Sequence, residues 1–170
     1  MERTACVRLV ARELRCTSMR DSLESLGIPR VECAPSVTAH HLEAFIDAFV
    51  LASSRVRARA LLRRSGWRPA VSGLVEQRLD PRVSTWDVAQ SRPSRWDARF
   101  LGDGVYIADA SVGLMMTLQQ ASAASIASCK DAIFSIRPGT LAVFLNHEWG
   151  ICYCSAPDQP QQRPTPSPRR

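Results

Sequence analysis

The side chains best suited to chemistry are few and scattered. Cysteines stand at 6, 16, 33, 129, 152 and 154, and histidines at 40, 41 and 147. Cys152 and Cys154 are two apart, so a strand would turn both to one face, where His147 could join them as a metal ligand. Structural zinc takes four ligands, commonly from two cysteine pairs, and the second pair is missing. No metal site is therefore expected, and the two thiols read as buried strand residues in reduced form. Thiol catalysis needs a base and a group that orients it. His147 beside Glu148 could supply a base to Cys6, Cys16 or Cys33, but no flanking sequence singles out a nucleophile. His40 and His41 point about 100° apart on a helix and cannot both address one site.

The other chemistry on offer is cationic. The 22 basic residues comprise 21 arginines and Lys130, against 16 acids, for a net charge of +6. Codon bias in a GC-rich genome accounts for such an excess, and so does selection for guanidinium groups, which bond carboxylate and phosphate bidentately. Aromatic residues are spread thinly, and no dense basic stripe with aromatic platforms appears, so nucleic acid ranks third among partners. Gly102-Asp103-Gly104 lacks the third glycine and the Lys-Ser/Thr pair of a phosphate loop.

Certain elements must position these groups. Ser18-Met19-Arg20-Asp21 reads as a helix start, with Met19, Leu23 and Leu26 on one face and Gly27 as the stop, which predicts a helix over 19–26. Val31–Cys33 suits a brief strand. A helical stripe of Leu42, Phe45, Ile46, Phe49, Val50, Val56, Ala60 and Leu61 predicts one long amphipathic helix over about 38–65, ending at Gly66. Residues 67–99 read as an irregular connection, with a short helix near 70–79 and Trp67, Trp86 and Trp96 as anchors. Gly102–Gly104 turns into a strand at Val105–Ala108. The small and apolar residues of about 111–129 predict a second, buried helix. Ala132–Ile136, Thr140–Leu145 and Ile151–Ser155 read as strands, the first two joined at Arg137-Pro138-Gly139. Residues 5–16 suit a strand or a helix equally.

The sequence therefore predicts an α+β fold, a single globular domain over 1–156 with helices on a partly antiparallel sheet. Residues 157–170 hold five prolines and a net charge of +2 and are expected to be a disordered basic tail. No run of 18 apolar residues and no leader-like segment appears, so no membrane partner and an intracellular, cytoplasmic location are expected.

Phe100-Leu101-Gly102-Asp103-Gly104-Val105-Tyr106-Ile107-Ala108-Asp109 resembles the glycine-aliphatic-tyrosine strand of ADP-ribosyltransferases of the poly-ADP-ribose polymerase type. Asn146-His147-Glu148-Trp149-Gly150-Ile151-Cys152-Tyr153 is similar to the glutamate-led strand that closes their active site. The resemblance implies NAD as cofactor, Tyr106 stacking on nicotinamide and Glu148 orienting the ribose. The family's first motif, a histidine followed by glycine on an earlier strand, is absent.

Without a complete catalytic constellation, the leading expectation is a non-enzymatic protein-binding or inhibitory accessory domain, with no cofactor and another protein, acidic in character, as partner. Its contact groups would be Arg55, Arg59, Arg63, Trp86 and Trp96, because Arg and Trp dominate interface energetics. The NAD-consuming enzyme is the alternative.

Overall fold

A computed structural model describes residues 18–62, 78–87, 98–109, 112–146 and 150–156. They form an α+β domain in which an antiparallel sheet lies between helices. Helix α1 (Met19–Ser25) starts where the Ser18 hydroxyl accepts the Asp21 amide at 3.2 Å. It ends before Gly27, whose φ of +64° suits a residue without Cβ. Helix α2 (Pro35–Phe49) has proline in its first turn and buries Thr38, Leu42, Phe45, Ile46 and Phe49, the spacing of one helical face.

The single long helix expected over 38–65 is two helices. Val50 is extended and bridges Leu79, the Leu51 amide donates to Arg78 O at 2.8 Å, and the Asp80 amide donates to Phe49 O at 2.8 Å. A main-chain partner from residues 78–80 thus satisfies the groups that a continuing helix would have used. Helix α3 (Ala52–Leu62) then starts afresh and packs beside α2.

The strands are β1 (Ser84–Asp87), β2 (Asp103–Asp109), β3 (Val112–Thr117), β4 (Ala132–Arg137), β5 (Leu141–Leu145) and β6 (Ile151–Ser155). They form one sheet in the order β1-β6-β5-β4-β2-β3, and every neighbouring pair is antiparallel. Strand β1 lies inside the stretch read as irregular. Four residues, two of them Ser and Asp, carry too weak an alternation to be read as a strand alone.

The second helix is likewise shorter than the 111–129 expected from composition. Residues 112–117 pair with β2, and helix α4 covers Leu118–Ser128. Thr117 switches the chain from strand to helix: its hydroxyl accepts the Gln120 amide at 3.3 Å, and Gln120 Oε1 accepts the Thr117 amide at 2.9 Å. Apolar composition without charges did not distinguish a buried strand from a buried helix, whereas the capping pair does.

Each face of the sheet carries its own core. One comprises Val105, Ile107, Ile133, Ala142, Phe144, Cys152 and Cys154 under Leu42, Phe45, Ile46 and Phe49 of α2. The other comprises Tyr106, Leu114, Met116, Phe134, Leu141, Val143 and Leu145 with Leu23 of α1, Phe100, and Leu118, Ala121 and Ala124 of α4. Odd and even positions of β2, β5 and β6 divide between the two cores, the period-two rule of a sheet covered on both faces. Close approach explains one glycine. A Cβ at Gly113 would meet Thr38 Oγ1 at 2.6 Å and Val105 Cγ1 at 2.7 Å.

Among the described residues, no helix is long and apolar enough to cross a membrane. The residues expected to form the tail, the 5–16 segment and nearly all of the 70–79 helix lie outside the described residues.

Candidate functional site at the first strand

Strand β1 is the last in the sheet order, and the chain leading into it builds a tight turn. Asp80 accepts the Arg82 amide at 3.0 Å through Oδ1, and Asp80 O accepts the Val83 amide at 3.1 Å and the Ser84 hydroxyl at 2.7 Å. The Arg82 guanidinium closes on the same carboxylate, with Nε at 2.9 Å from Oδ1 and Nη2 at 2.5 Å from Oδ2. The Arg82 side-chain and backbone hydrogen bonds hold the Asp80 pKa down at about 2, with a further lowering from Arg55 nearby. The carboxylate is buried, while the Arg82 side chain is 83% exposed. The turn therefore ends in an ion pair whose guanidinium lies at the surface and whose buried carboxylate offsets its charge.

Beyond the turn, Arg82, Val83, Ser84 and Thr85 form one wall of a cleft of about 330 Å³, and Arg99, Phe100, Tyr153 and Ser155 complete it. The Phe100 and Tyr153 rings lean together with centroids 4.9 Å apart, and the Arg99 guanidinium lies 5.9 Å from the Phe100 centroid. Tyr153 is the register partner of Thr85, which places both on the cleft face of the sheet.

Trp86 alternates to the opposite face. Its ring meets Phe144 edge-on at 6.0 Å and lies against Gly150, where a Cβ would come within 3.2 Å of the indole. The residue remains 37% exposed. Strand β1 thus has an aromatic ring on one side and a cationic, aromatic-floored cleft on the other.

Of the residues expected from sequence to contact a partner, Trp86 lies at this edge and Arg55 lies within electrostatic reach of Asp80. Arg55 Nε donates to Val50 O at 3.0 Å, at the break between α2 and α3. Arg59 is further from such a role: its Nε donates to Glu43 at 2.9 Å and its Nη2 pairs with Asp47, so its charge is matched across the two helices. Arg63 and Trp96 lie outside the described residues. Arg82, Arg99, Thr85 and Tyr153 were missed. Asp80-Pro81-Arg82 carried a readable turn signal, because Asp commonly bonds an amide two residues on. Arg99 and Tyr153 meet only through the sheet.

The residues of the NAD-binding resemblance are placed in part. Tyr106 is 1% exposed, in the core beneath α4, so its ring offers no face to a ligand. Burial pushes its phenol well up in pKa, against a smaller lowering by Ser128. Glu148 and His147 lie outside the described residues. Cys152 and Cys154 share the α2 side of β6, fully buried, as their spacing predicts. Among the described residues, no three His, Cys, Asp or Glu side chains converge as a metal site requires. Comparison with protein-family models, with curated proteins and with solved structures returned no match, so the reading of this edge rests on its geometry.

Proposed function

We propose that the chain is a non-enzymatic protein-binding domain whose contact surface is the β1 edge, and that its partner presents carboxylates there. One observation carries this reading: Trp86 on one side of β1 and the Arg82–Arg99 cleft on the other put an exposed aromatic ring and two arginine side chains on the two sides of one strand. Arginine and tryptophan are the side chains that most often dominate interface energy. Asp80 offsets the charge of Arg82, and the arginines around this pair outnumber it, so the rim attracts negative charge. Arg55 adds to that field from the start of α3, whereas Arg59 serves the packing of α2 against α3.

The test compares the proteins that immobilised wild-type chain captures from an extract of its own host with those captured by Trp86→Ala and Arg99→Glu. Arg57→Glu, at an exposed site on α3, is the control. The expected result is a partner held by wild type and by the control and lost by both edge variants at unchanged melting temperature. Equal capture by all four chains sinks the assignment. NAD turnover by the wild-type chain would transfer the function to the enzyme reading.

A further inference from the structure

We draw no further inference here: the strongest candidate, the pair of thiols Cys152 and Cys154 on the α2 face of β6, is fully buried in the core, and among the described residues no third metal-ligating side chain converges on it, so nothing in the structure points to a ligand there.

Discussion

At the scale of single residues, the molecule places two polar groups where water does not reach them easily. Tyr106 Oη is buried with no hydrogen-bond partner among the described residues, while the nearby Ser128 hydroxyl donates to Ala124 O at 2.7 Å. A buried hydroxyl without a partner costs desolvation and returns little, so Tyr106→Phe should be neutral or stabilise the fold by up to about 1 kcal/mol in denaturant unfolding. A loss larger than that would mean the phenol has a partner that matters. His41 shares a hydrogen bond with Ser135 Oγ at 2.8 Å, and burial, then the neighbouring His40, lower its pKa below 6.5. A lowered histidine pKa means that the fold favours the neutral ring. That contribution is present above pH 6.5 and is lost as pH falls from there through the lowered folded value. His41→Gln should therefore flatten the melting temperature over that window. An unchanged pH profile would show that the ring titrates alike in the folded and unfolded chain. Asp80 acts at lower pH. With a folded value of about 2 against 3.8, its contribution is present above 3.8 and disappears between the two.

At the scale of elements, short local devices decide where one kind of structure yields to another. Thr117 and Gln120 end β3 and start α4 with reciprocal bonds. Thr117→Ala should cost about 1 kcal/mol and expose the first turn of α4 to faster amide exchange. Protection undiminished in that turn would show that packing alone starts the helix. Gly113 belongs to the same hairpin, its amide donating to Thr38 Oγ1 at 3.0 Å. Gly113→Ala must push α2 away from β3 and should cost about 1–3 kcal/mol by denaturant midpoint, as overpacking does.

At the scale of the whole molecule, one sheet is shared by two cores, so neither face can be lost alone. Phe144 is fully buried on the α2 side, and its strand neighbours Val143 and Leu145 are buried on the other. Phe144→Ala should cost about 3–5 kcal/mol. Loss of helical circular dichroism and the shift of tryptophan fluorescence should coincide during its unfolding. Separate transitions would show two cooperative units instead.

The sequence by itself determined the α+β class, the helix at 19–26, the strand at Val105–Ala108 and the three C-terminal strands. Each of those carries a local signal: a Ser cap and glycine stop, a glycine turn, or a Pro-Gly turn in which Gly139 has φ +69°. It also placed Cys152 and Cys154 on one face, because strand period alone decides that. Tertiary structure decided the rest. Whether residues 50–51 continue a helix depended on main-chain partners at 78–80, about thirty positions away, and whether 112–117 is strand depended on its pairing with β2. The cleft was hidden for the same reason. Arg82, Arg99 and Tyr153 are far apart in the chain, and only the pairing of β1 with β6 brings two of their segments together. Local propensity acts over a few residues, whereas a sheet edge is defined by which strand has no neighbour, a property of the whole assembly.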